Sequence, residues 1–324
     1  MEKRIFEEVV KKLSGSFDSK GNALNMSAIM VSSNGKTFSH YFGERVKVDI
    51  RSIAKPIVCL AFGAAIEKGL YFGEIKIDLN TKVGPLVNKY ANISDENVAK
   101  WNEITVRDCF KITFGHDKGI MFSKDVKEHD ENELIQYVMN YPITGRPGVD
   151  FVYSNAGTFI LSTLITEYLG VSLKDFVDKY IFKPLNIVDY EWKNFGKYCA
   201  GCTGLKMYCE DLHKITLLLL NNGVIDGKQL VPLNWIRNMA TPLVGMPTHR
   251  YKKGRAFPKL GYGLNLWICG DCDDNGVVAI NDIFYCDGTD GQYVICIPHN
   301  NTAITALGFQ PDTEPVSSIL GMFK

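Results

Sequence analysis

Arg51-Ser52-Ile53-Ala54-Lys55-Pro56 places a hydroxyl and an amine three residues apart at the expected start of a helix. Residues i and i+3 share a helical face, so the Lys55 amine can fold back toward Ser52 Oγ and take its proton, which activates a serine as a nucleophile. Pro56 lacks an N–H and is tolerated only in a first turn. It therefore predicts a helix from about Ser52 through Val58, Leu60, Ala61, Ala64 and Ile66 to a stop at Gly69. Ser52 then stands at the positive pole, which together with partial burial favours the neutral form of Lys55. Alone, the pattern also describes a capping serine followed by a surface lysine. A second stretch tips the balance: Tyr153-Ser154-Asn155 follows the turn Arg146-Pro147-Gly148 and precedes a helical run from Ala156 to Leu169. A tyrosine titrating at about 10 is a poor base unless a cation lowers its pKa, and Lys55 is the candidate cation. Asn155 can turn its amide to the same side if the backbone between them is extended.

Ser52-Ile53-Ala54-Lys55 followed by Pro147-Gly148-Val149-Asp150-Phe151-Val152-Tyr153-Ser154-Asn155-Ala156-Gly157 resembles the serine hydrolases of the class C β-lactamase and penicillin-binding-protein superfamily. Ile104-Thr105-Val106-Arg107-Asp108, Phe182-Lys183-Pro184-Leu185-Asn186-Ile187 and Gly201-Cys202-Thr203-Gly204-Leu205 with Asp211-Leu212 resemble further segments of that family, so the likeness spans nearly the whole chain. The resemblance implies an α+β fold of the β-lactamase/transpeptidase-like kind, an α/β sandwich with an antiparallel sheet flanked by helices and an inserted helical lobe. It implies Ser52 as the nucleophile of an acyl-enzyme, Lys55 and Tyr153 as the proton carriers, Asn155 as a holder of substrate or lysine, and no obligatory cofactor.

A tetrahedral intermediate needs two N–H donors aimed at its oxyanion. The N–H of Ser52 at a helix start is one candidate. The second is expected from Cys286-Asp287-Gly288-Thr289-Asp290-Gly291-Gln292, with the choice between Thr289 and Asp290 open. This stretch departs from the Lys-Thr-Gly of β-lactamases and the His-Thr-Gly of many peptidases. It looks more like the form in members related to esterases and 6-aminohexanoate-dimer hydrolases. Asp287, Gly288, Thr289 and Asp290 are thus candidate substrate contacts, and Asp287 is expected to repel a substrate carboxylate, favouring an ester or neutral amide over penicillins and D-alanyl peptides.

With 324 residues, 46% hydrophobic, and 36 acidic against 36 basic side chains, the chain can bury a large core and offers no electrostatic reason to expect nucleic acid or an anionic membrane as partner. A small ester, amide or peptide substrate fits better. The start, Met1 to Leu13, reads as a charged amphipathic helix without a secretory apolar core, and nine cysteines suit a reducing compartment, so the expected location is cytoplasmic.

Ser27–Ser33 and Lys36–Phe42 read as strands joined across Asn34-Gly35. Helices are expected over Thr105–Phe110, Glu131–Met139, Ala156–Leu169, Leu173–Tyr180 and Leu205–Asn222. Short strands are expected over Gly263–Ile268, Val277–Asn281, Gln292–Ile297 and Thr302–Leu307, with a closing helix over Pro315–Phe323. The domains follow: residues 1–77 with 205–324 form a sheet domain, and 78–204 an inserted helical one.

Cys199-Ala200-Gly201-Cys202 and Cys269-Gly270-Asp271-Cys272 are two Cys-x-x-Cys pairs that could together hold a structural zinc, although packing or free thiols account for them as well. His116 reads as a surface histidine, with the wall of a substrate pocket as the other option. Arg250, Lys252, Lys253 and Arg255 read as a solvated basic loop, or else a site for an anionic group. The main reading is a serine hydrolase acting on an ester or amide. The competing one is a catalytically inactive ligand-binding protein of the same fold, and a zinc hydrolase lacks any His-Glu-x-x-His cluster.

Overall fold

A computed structural model describes residues 3–245, 256–272 and 278–324; side chains at 271, 272 and 278–281 lie outside that description, as does the basic loop with Arg250, Lys252, Lys253 and Arg255. The chain packs as two compact units.

The first unit comprises residues 1–53, 187–191 and 205–324. Its centre is an eight-stranded antiparallel sheet. The strands are β1 Met26–Ser33, β2 Lys36–Tyr41, β3 Val244–Gly245, β4 Lys259–Tyr262, β5 Trp267–Cys272, β6 Val278–Gly288, β7 Gln292–Ile297 and β8 Thr302–Gly308, in the order β3-β4-β5-β6-β7-β8-β1-β2. Asn34 and Gly35 both take positive φ, 49° and 77°, as a two-residue hairpin turn with the twist of its strands requires. Every residue of β7 and β8 is buried, so both faces at the centre of the sheet are covered. Helix α1, Lys3–Gly15, buries Phe6, Val9 and Leu13 at helical spacing and stacks Phe6 on Phe38 of β2. Cys209–Leu220, a second helix of this unit, buries Leu212, Ile215, Leu218 and Leu219, and the carbonyl of its Thr216 lies 3.5 Å from Cys296 Sγ of β7.

Leu205–Met207, expected as the start of that helix, is a strand paired with Val48–Asp49. Gly263–Ile268, expected as one strand, divides: the Gly263 N–H closes a turn on the Leu266 carbonyl at 2.9 Å, and strands β4 and β5 lie on either side.

A buried polar chain runs through this core. His213 Nε2 lies 2.7 Å from Ser32 Oγ, and Nδ1 lies 2.9 Å from Thr305 Oγ1, which meets Thr216 Oγ1 at 2.7 Å. Burial pushes the His213 pKa down to about 4. The neutral ring is therefore the native form. As pH falls from about 6.5 toward the folded value, the unfolded chain takes up a proton that the folded one refuses, so stability is lost across that window, by about 3 kcal/mol for this ring. Urea midpoints of wild type and His213→Gln should converge as pH falls from 6.5 to 4; parallel curves would remove the ring as the cause.

The second unit comprises residues 54–186 and 192–204. Two helices form its core: α2, Ala54–Glu67, and Ala156–Leu169, whose limits match the sequence expectation. Both are buried nearly all round, α2 from Ala54 through Ala65, as helices with apolar residues on every face must be. The Phe62 ring meets Phe110 and Phe176 at centroid distances of 5.5 and 5.4 Å, which is why α2, expected in the sheet domain up to residue 77, counts with the helical unit. Leu173–Tyr180 narrows to a helix over Leu173–Val177 that widens into a π-turn over Asp178–Phe182. Gly157 marks a close helix crossing: a Cβ there would stand 2.0 Å from the Cys109 carbonyl oxygen. Gly157→Ala is expected to destabilise the protein by about 3 kcal/mol, read as a lowered urea midpoint at unchanged m-value.

Candidate active site

In the sheet unit, Ser52 belongs to a 3₁₀ turn, Arg51–Ile53, that runs without a break into α2. The helix proper begins at Ala54, two residues later than the expected start, and Gly69 beyond its end takes φ 82°. Strand β6 comes up against this turn. Cys286 Sγ lies 3.7 Å from the Ser52 carbonyl, and a Cβ on Gly288 would lie 2.7 Å from the Ile50 carbonyl oxygen. Glycine at 288 is thus what allows the strand to approach the nucleophile turn so closely.

Successive residues of a strand face opposite ways. Since Cys286 meets the Ser52 turn, Asp287 points away from it, and its carboxylate pairs with Lys259 Nζ at 2.8 and 3.0 Å. Lys259 also lies over the Trp267 ring, 4.2 Å from its centroid. The repulsion expected of Asp287 toward a substrate carboxylate therefore loses its basis, because the charge is neutralised on the other face of the sheet. Asp290, expected to touch substrate, is ion-paired with Arg51. Thr289 is exposed at the hairpin tip. Arg51 and Lys259 were not singled out by sequence reasoning, since partners so distant in the chain leave no local pattern.

In the helical unit, Lys55 is only 1% exposed. Its Nζ donates to the Cys202 carbonyl at 3.2 Å and stands 5.1 Å from the centroid of the Tyr153 ring. The loop carrying Tyr153 is fixed from several sides. Arg146 and Asp150 close the turn ahead of it with a backbone bond of 2.7 Å and a guanidinium–carboxylate contact of 2.6 Å. Ser154 Oγ donates to the Ile120 carbonyl at 3.0 Å and accepts the Ile120 N–H at 3.2 Å. Gly119 passes so near that a Cβ there would stand 2.1 Å from the Tyr153 carbonyl oxygen.

Asn155 is not extended: with φ −92° and ψ −7° it stands just ahead of the following helix without a side-chain cap bond, and its Nδ2 donates to the Met121 carbonyl at 2.9 Å. The buried Oδ1 has no hydrogen-bond partner among the described residues, which leaves an acceptor in reserve.

His116 is not at the surface. It is 4% exposed, stacked on Phe114 and edge-on to Trp101 and Tyr141, with neither ring nitrogen hydrogen-bonded among the described residues. Burial holds its pKa down to about 4.

Cys199 and Cys202 are buried in the helical unit and Cys269 in the sheet unit, while the Cys272 side chain lies outside the described residues. Burial pushes the Cys199 thiol up to about 12. Among the described residues no group of three or more His, Cys, Asp or Glu side chains could hold a metal ion.

Among solved structures, a 6-aminohexanoate-dimer hydrolase candidate from Bacillus anthracis superposes with a TM-score of 0.69 at 17% identity, covering 92% of this chain and 78% of its own. A D-stereospecific amidohydrolase from Streptomyces sp. gives 0.69 at 15% identity, covering 97% of both chains. A class C β-lactamase in complex with cefoxitin gives 0.70 at 14%, covering 99% of this chain and 97% of its own. At these identities the likeness establishes a shared β-lactamase/transpeptidase-like fold. The β-lactamase family model matches residues 6–315, a span that holds both the Ser52 and the Tyr153 segments, and the chain therefore belongs to the β-lactamase family.

Proposed function

We propose that the protein is a serine hydrolase that cleaves an ester or amide through an acyl-enzyme on Ser52. The observation that carries this reading is the buried Lys55: an amine kept at 1% exposure, 5.1 Å from the Tyr153 ring, one helical turn along the chain from a serine. A lysine so far removed from water is costly to the fold and is kept for its chemistry.

In this reading Ser52 Oγ attacks the substrate carbonyl while Lys55 and Tyr153 take up its proton. The tetrahedral oxyanion collapses, the leaving alcohol or amine receives the proton, and the serine ester remains. Water, deprotonated by the same pair, then attacks the ester, and the carboxylic acid leaves as Ser52 regains its proton. Asn155 Oδ1, unpartnered among the described residues, supplies an acceptor for the lysine amine or a substrate N–H.

Asp287 is tied to Lys259, so a carboxylate on the substrate meets neither the cation of a Lys-Thr-Gly motif nor an unpaired anion. Specificity then falls to shape and leaving group, and neutral esters and amides are the proposed class. None of the eight described cysteines forms a disulfide, which suits action in the cytoplasm.

The test is turnover of p-nitrophenyl acetate, p-nitrophenyl butyrate, a neutral anilide and a penicillin. Hydrolysis of the esters at least about tenfold above the Ser52→Ala background, with the penicillin no better than the anilide, supports the reading. Penicillin as the best substrate overturns the proposed class. No turnover of any of them by folded protein supports a ligand-binding role.

A further inference from the structure

Arg51, the residue before the proposed nucleophile, has φ 54°. That left-handed conformation comes readily to glycine and is unfavourable for a long side chain. Such a residue persists only where its surroundings hold it. Two carboxylates do so, from opposite ends of the chain. Asp49 accepts the Arg51 backbone N–H at 2.9 Å and its Nη1 at 3.0 Å. Asp290 accepts Nε at 3.0 Å and Nη2 at 2.9 Å on one carboxylate oxygen.

Asp290 is itself left-handed, with φ 70°, at the tip of the hairpin that joins β6 to β7. Its carbonyl accepts the Gln310 N–H at 2.9 Å. At the base of the hairpin, Gln292 Nε2 donates to the Asp49 carbonyl at 3.3 Å and to that of Gly308 at 2.9 Å. Gly288 packs against Ile50 and Arg51 without room for a Cβ. The segment 49–52 and the hairpin 288–292 are thus joined by backbone contact on one side and by the ion pair on the other, all within the sheet unit.

We infer that Arg51 and Asp290 are positioning residues for the proposed acyl transfer, their ion pair setting the spacing between the Ser52 turn and the hairpin amides that would stabilise the oxyanion. The inference rests on the reading of Ser52 as the nucleophile. The φ of residue 51 fixes the directions of the Ser52 N–H and Cβ together. Relaxation of Arg51 to negative φ would redirect both at once. A pair that acts through the backbone it spaces lowers kcat rather than raising KM when it is broken. The two side chains are 42% and 36% exposed, so the pair is open to screening by salt.

The experiment is a double-mutant cycle of Arg51→Ala and Asp290→Ala on p-nitrophenyl acetate hydrolysis, with fluorophosphonate labelling of wild type and Ser52→Ala alongside. Each single variant should lose about 30-fold in kcat with KM nearly unchanged, in the range a misplacement of about 1 Å causes. The double variant should lose no more than the worse single, because the two residues act as one device. If Arg51→Ala does not fold, Arg51→Gly, which accepts the left-handed backbone without the ion pair, carries the same comparison. Wild-type turnover should also fall with ionic strength and that of Asp290→Ala should not. Losses below about threefold, losses that multiply in the double variant, or a change confined to KM overturn the positioning role and leave Ser52 standing if the wild type labels. A wild type that does not label overturns both.

Discussion

Ser52→Ala is expected to lower ester hydrolysis by about 10⁴-fold or more, to the level that binding and the oxyanion donors sustain without a nucleophile. The loss should lie in kcat, in protein that remains folded. Ser52 is partly exposed in a 3₁₀ turn, and its main-chain carbonyl, 3.7 Å from Cys286 Sγ, is retained by alanine. The substitution thus deletes one oxygen without opening a core cavity. Residual activity of about a tenth or more of wild type would place the nucleophile elsewhere in the chain.

Lys55→Met is expected to cost about 10³-fold in the same assay while the melting temperature holds or rises. Methionine keeps the length of the lysine stem and removes the amine. The protein loses the hydrogen bond to the Cys202 carbonyl among the amine's contacts and, in exchange, no longer buries an amine at 1% exposure. Burying an ammonium group is costly, and methionine removes that cost. Opposite movements of activity and stability would mark a group maintained for chemistry against the interest of the fold. If activity falls only in step with the folded fraction, Lys55 is a packing residue and the proposed proton transfer fails.

The parts of this molecule that were legible in the sequence are those set by local rules. Asn34-Gly35 could only be a tight hairpin, and it is one; the helix over Ala156–Leu169 has the limits its apolar run predicts and ends at Gly170, with φ 66°. Where tertiary pairing overrides local pattern, the reading went astray. Leu205–Met207 carries the residues of a helix start and is drawn into a strand by Val48–Asp49. Leu264 and Leu266 look like strand residues and are buried inside a turn.

The candidate site divides in the same way. Ser52, Lys55 and Tyr153 stand out because their chemistry depends on types and spacing. What surrounds them does not: Asp287 and Lys259 are brought together by the register of β4, β5 and β6, and Arg51 and Asp290 by the close approach of the β6–β7 hairpin to the Ser52 turn, which no spacing encodes. For that reason the pairing of Asp287 with Lys259 could not be read from the sequence, and His116, a polar residue in a glycine-bearing loop, could be mistaken for a surface residue although aromatic rings enclose it.

The central claim is that Ser52 is an activated nucleophile, and intact-protein mass spectrometry after exposure to a fluorophosphonate tests it most directly. The account predicts one covalent adduct on the wild type, located by peptide mapping at Ser52, absent from Ser52→Ala and strongly slowed in Lys55→Met. An unmodified wild type, or an adduct that persists in Ser52→Ala, would contradict it.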